Sequence, residues 1–160
     1  MSIFKRVAIV CGVTMGISGL AFAVDFGQNA LVDIFTSIAL TEDTQMDFGI
    51  VSDNDGTITL DTADTISVDA SAIAAGGTPL SGDFTIDGEA SQTVQVTFTG
   101  SSASGLQINN FVTNPADVSA LTLTAGTATF IVGADLTVTA AGASTGTDQN
   151  VAYTVHVTYN

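Results

Sequence analysis

The chain has 160 residues, with 2 Lys+Arg against 16 Asp+Glu, and both basic residues, Lys5 and Arg6, lie near its start together with the single cysteine, Cys11. Every acidic residue follows that stretch, from Asp25 onward. If the stretch is a removable leader, what remains can neither neutralise a nucleic-acid backbone nor catalyse through Lys, Arg or Cys, and it can form no disulfide and no Cys-ligated metal site.

Residues 1–23 read as an export signal. Lys5 and Arg6 form a positive start, Val7 to Leu20 is apolar but interrupted by Gly12, Gly16 and Gly19, and Ala21-Phe22-Ala23 is an A-x-A cleavage site. The apolar stretch is short for a span of roughly 20 residues. Val10 is too large for the small position expected before a lipid-modified cysteine, so Cys11 is read as part of the discarded leader. The expectation is an exported protein, placed from periplasm to cell surface or outside the cell, with no membrane span in the mature chain.

After the leader, apolar residues alternate with Thr, Ser, Asp and Gln, the two-residue period of half-buried strands. Residues 24–41 form an N-terminal segment in which Val32, Ile34, Ile38 and Leu40 share one parity with Thr36 between them. Thr41–Gln45 reads as a polar break, so the remaining domain is placed at residues 42–160. Short runs follow at Met46, Phe48 and Ile50, then Ile58 and Leu60, Ile66 and Val68, Phe84 and Ile86. Val94, Val96 and Phe98 form an alternating strand closed by Gly100, followed by Leu106 and Ile108, and Leu121 and Leu123. Phe130 and Val132 lead through Gly133 to Leu136 and Val138. The closing strand is Val151, Tyr153, Val155, Val157 and Tyr159. Thr fills many outward positions, where its branched Cβ suits the pleat. Asp55-Gly56, Gly76-Gly77, Asp87-Gly88 and Asn114-Pro115 are turn signals. The segments 70–81 and 140–150 read as surface loops. Two packed antiparallel sheets bury one face of so many short strands, so the fold class is an all-β sandwich.

Four sharper readings of the residues fall short. Asp53-Asn54-Asp55-Gly56 looks like part of a calcium loop, but with Gly56 at its sixth position the first and twelfth are Val51 and Thr62, which supply no carboxylate. Leu60-Asp61-Thr62-Ala63 resembles an aspartic-protease turn with alanine where glycine is needed, and no second copy supplies the facing carboxylate. The T-x-T triplets at Thr57, Thr97, Thr122, Thr127 and Thr137 keep no constant interval, unlike an ice-binding solenoid. His156, the only histidine, has no second ligand for a transition metal. No catalytic residue, cofactor or metal is assigned, and the chain is read as a non-enzyme.

A family resemblance rests on Met46-Asp47-Phe48-Gly49, Phe84-Thr85-Ile86-Asp87-Gly88, Val132-Gly133-Ala134-Asp135-Leu136-Thr137-Val138 and the closing Tyr153-Thr154-Val155-His156-Val157-Thr158-Tyr159-Asn160. In their order and spacing these resemble the bacterial secreted domain of unknown function 4402, itself similar in pattern to spore-coat-U-type and chaperone–usher pilus subunits. The resemblance implies an immunoglobulin-like antiparallel sandwich and a structural role at the cell surface, without catalytic residues.

The function expected is a secreted structural subunit of a fimbria-like or cell-surface assembly. Its partners would be further copies or related surface subunits, with a periplasmic chaperone gripping the C-terminal strand. Val32, Ile34, Thr36, Ile38 and Leu40 would form either the first strand of their own sandwich or a donor strand for a neighbour's. Strand addition uses main-chain hydrogen bonds for affinity and alternate side chains for specificity, and the side-chain pattern is the same in both cases. The alternatives are a monomeric extracellular binding module for a glycan or calcium, and an Asp-dependent hydrolase. With nine Phe, two Tyr and no Trp, mostly in strand patterns, the chain has few residues for a sugar-stacking platform.

Overall fold

A computed structural model describes residues 31–69, 74–143, 145–146 and 149–160. Residues 1–23, expected to be a leader, and the first part of the 24–41 segment lie outside the described residues. The chain divides into two compact units, Met1–Asp33 and Ile34–Asn160. Of the first unit only residues 31–33 are described, and all three are exposed.

The second unit is the all-β antiparallel sandwich expected. Its strands are β1 (Ala39–Thr44), β2 (Ile50–Val51), β3 (Gly56–Leu60), β4 (Ile66–Val68), β5 (Ala74–Gly76), β6 (Gly82–Asp87), β7 (Thr93–Gly100), β8 (Ser102–Ala103), β9 (Leu106–Asn114), β10 (Leu121–Thr122), β11 (Thr127–Val138) and β12 (Tyr153–Tyr159). No helix occurs among the described residues, so none there is long and apolar enough to cross a membrane.

The larger sheet is built around β11, whose 12 residues exceed any neighbour's length. Phe130, Val132, Ala134, Leu136 and Val138 share one parity and are all buried. One edge of β11 pairs first with β6, through Val132, and then with β3, from Ala134. Gly133 stands at the changeover, where a Cβ would run into the Leu60 carbonyl oxygen. The other edge pairs with β9, with a shift in register between Gly133 and Asp135. β1 extends the sheet beyond β6, and β4 extends it beyond β3. The opposing sheet is β10-β7-β12, and a two-stranded piece joins β2 to β5.

Phenylalanines fasten the layers. Phe84 of β6 stacks on Phe130 of β11 with centroids 5.2 Å apart. Phe98, projecting from β7 in the opposing sheet, meets Phe130 edge-on at 6.0 Å and stacks on Phe111 of β9 at 5.2 Å. These offset and edge-on geometries add to the burial of apolar area. At the end of β7 a Cβ on Gly100 would run into the Ile108 carbonyl oxygen, so glycine allows β7 to pass close to β9.

Two expected boundaries differ. Thr41–Gln45, read as a polar break, is strand through Thr44: β1 crosses residue 41 and pairs Thr41 with Thr85 and Glu42 with Phe84. The described part of segment 70–81, read as a loop, contains β5, where Gly76 pairs with Ile50.

Candidate functional site

Alternation on β1 and β12 aims one row of side chains from each strand at the space between the sheets. On β1, Leu40 lies opposite the buried Ile86, and Glu42 lies opposite the buried Phe84. Cross-strand partners share a face, so a carboxylate follows an apolar residue on the core side of this edge strand. On β12, Tyr153, Val155, Val157 and Tyr159 face the core but are only half-buried, while Thr154, His156 and Thr158 are exposed. Among the described residues β1 pairs only with β6, and β12 only with β7. Both strands therefore carry a second edge without a ladder.

Between these edges runs a groove of about 1660 Å³. Leu40 and Glu42 line one wall, Val151, Tyr153 and Val155 the other, and the buried core residues Phe84, Ile108, Leu136 and Val138 also border it. At this point the Tyr153 hydroxyl donates a long 3.5 Å hydrogen bond to Glu42 Oε1. Burial first, and then the charge and hydrogen bond of Glu42, push Tyr153 up to about 12.

The far end of β12 is closed differently. The Tyr159 hydroxyl donates to the Thr36 carbonyl at 2.7 Å and accepts the Glu89 N–H at 2.6 Å. Glu89 Oε2 in turn accepts the Thr36 N–H at 3.1 Å and the Thr36 hydroxyl at 2.8 Å, and the hydroxyl bond foremost holds this carboxyl below its ordinary range. Phe35 packs edge-on against Tyr159, with centroids 5.4 Å apart. Gly88 makes room for this clamp, since a Cβ there would stand 2.5 Å from the Tyr159 hydroxyl.

The five residues expected to act as a donor strand are thus divided. Thr36 is held by the clamp, Ile38 packs on the core, and Leu40 belongs to β1 with 38% of its surface exposed. Ile34, 85% exposed, and Val32, 76% exposed, belong to no strand. The closing residues Tyr153, Val155, Val157 and Tyr159 do form one strand, with Val151 just before it at the groove wall.

Other acids have local structural uses. Asp61 accepts the Ala63 and Thr65 N–H groups, which shapes the turn from β3 to β4. Asp55 accepts the Ala140 N–H. Asp135 receives the Thr59 hydroxyl at 2.6 Å and the Asn110 amide at 2.9 Å. No group of three or more potential metal ligands converges among the described residues. Sequence reading missed Glu42 as a wall residue and Glu89 as part of the clamp. Parity continued from Leu40 to Glu42 was the available signal for the first. For the second there was none, because 53 residues separate Glu89 from Thr36.

A family model described as a domain of unknown function (DUF4402) matches residues 38–159. No curated protein and no solved structure matches the chain.

Proposed function

The chain belongs to the DUF4402 family, and from that premise we propose that it is an exported structural subunit of a fimbria-like or other cell-surface assembly. Its sandwich would be completed by an extended segment from a neighbouring subunit, laid between β1 and β12. The observation that carries this reading is the half-burial of the core side of β12 beside an unladdered edge and a groove bordered by core residues. A strand placed there pairs main-chain groups of both edges and covers Val155 and Leu40, so affinity comes from hydrogen bonds and specificity from alternate side chains. An open apolar edge left uncovered is a liability, and occupation removes it.

The test is made on native cells. Antibody against this chain should label filaments or another surface assembly in sheared material under the electron microscope, and the extracted protein should run above monomer size. A strict monomer, both in native-cell material and at high concentration after purification, would sink the reading.

A further inference from the structure

We infer that the segment filling the β1–β12 groove belongs to a different protein from this chain and carries a lysine or arginine where it passes Glu42. The inference rests on the strand-addition reading and names the chemistry of the occupant.

Glu42 shares the core-side face with Leu40 and Phe84, and it lines a groove whose other charged side chains, Asp47 and Asp53, are also acidic. In the open groove its carboxylate has one protein donor, the Tyr153 hydroxyl, and water can meet its remaining lone pairs. An inserted strand excludes that water. An apolar side chain opposite Glu42 would leave an ionised oxygen without compensation, which is costly. A lysine or arginine lays its methylene stem along Leu40 and Phe84 and brings its charged end to the carboxylate.

With residues 1–23 removed, as the export reading has it, a second copy of this chain has no such group to offer. No Lys or Arg occurs after Arg6, and residues 31–40 bring only Asp33 as a charged side chain. Asp47 and Asp53, also along the groove, add like charge against any acidic occupant. A charge pointing inward from an edge strand is also a known way to prevent identical edges from pairing. Glu42 therefore rejects its own kind and selects a cationic strand.

The test uses the chain from residue 24 onward and fluorescent peptides of alternating valine and threonine. One inward position carries lysine, norleucine or glutamate, and a further peptide copies residues 25–34. Binding is read by anisotropy for the unaltered protein, for Glu42→Gln and for Asp47→Asn, each first shown to be folded by circular dichroism. The lysine peptide should bind about tenfold more tightly than the norleucine peptide, as for one charge-assisted hydrogen bond. Glu42→Gln should erase that preference while retaining the norleucine peptide, and Asp47→Asn should leave most of it. Equal binding of lysine and norleucine peptides, a lysine preference that survives Glu42→Gln, or tighter binding of the 25–34 peptide would each overturn the inference and leave strand addition standing. Absence of binding by every peptide would overturn strand addition itself, and the inference with it.

Discussion

The clamp at the end of β12 depends on single atoms. Gly88 is needed there for space: a methyl group would stand 2.5 Å from the Tyr159 hydroxyl and 2.8 Å from Leu123 Cδ1, a fully buried side chain. Gly88→Ala is therefore expected to destabilise the domain by about 1–3 kcal/mol, as overpacking does, and urea unfolding would measure it. An unchanged midpoint would mean that Tyr159 shifts without loss. Glu89 adds a pH dependence. Its folded carboxyl lies below the ordinary value of 4.5 because the ionised form accepts two bonds from Thr36. Its contribution is present above that ordinary value and is lost as pH falls through the lowered folded one. The Thr36 amide resonance should therefore move on acidification below pH 4.5, and in Glu89→Gln it should stay flat over the same range. A Thr36 signal that ignores pH in the unaltered protein would show that the clamp does not form. Asp64 with Ser81, and Asp117 with Ser119, act with the same sign.

Among the elements, β11 has the most exacting position. Two strands share one of its edges, and they can do so because Gly133 lets the Leu60 carbonyl approach at the changeover. Gly133→Val drives a branched side chain into backbone, which cannot swing away as a flexible side chain would. A loss of about 3 kcal/mol or more is expected, readable as a lowered thermal midpoint. A loss well below that would mean that β3 and β11 separate easily. The line of β11 was legible in the sequence, since Phe130, Val132, Leu136 and Val138 keep one parity on both sides of the glycine. So was β7, where Val94, Val96 and Phe98 alternate up to Gly100. β1 was not, for a physical reason. Alternation identifies a strand by contrast between an apolar and a polar face, and on Leu40-Thr41-Glu42-Asp43 that contrast disappears once the inward position is occupied by a carboxylate. β5 was hidden differently, because Ala74-Ala75-Gly76 offers no large side chain to mark a face. The closing wall of the groove was legible as a strand, yet its missing partner was not, because a half-buried and a fully buried valine look alike in a sequence. The donor-strand residues were legible as a pattern only, and their division at Thr36 depends on long-range contacts with Glu89 and Tyr159.

For the whole molecule, charge is the dominant variable. The formal net charge is −14, and no Lys or Arg follows Arg6. Repulsion among the carboxylates opposes the compact state with no lysine or arginine in the sandwich to offset it. Moderate NaCl, with a screening length of about 10 Å at 0.1 M, should raise the thermal midpoint, measured calorimetrically in chloride because sulfate also strengthens apolar burial. A midpoint unmoved or lowered by NaCl would show that repulsion contributes little.

The unequal ends of the groove have a kinetic meaning. Near Tyr159 the Phe35–Thr36 segment lies across the end of β12 and is pinned by Glu89, while Val151, at the other end, lines the groove itself. On the strand-addition reading an incoming segment threads from the Val151 end and zips toward the barred one, so loading has a direction. A groove that takes its strand from a different protein makes a joint between unlike chains, so copies of this chain do not propagate through it by themselves. An assembly built that way needs both chains, and its growth stops when the cationic partner runs out.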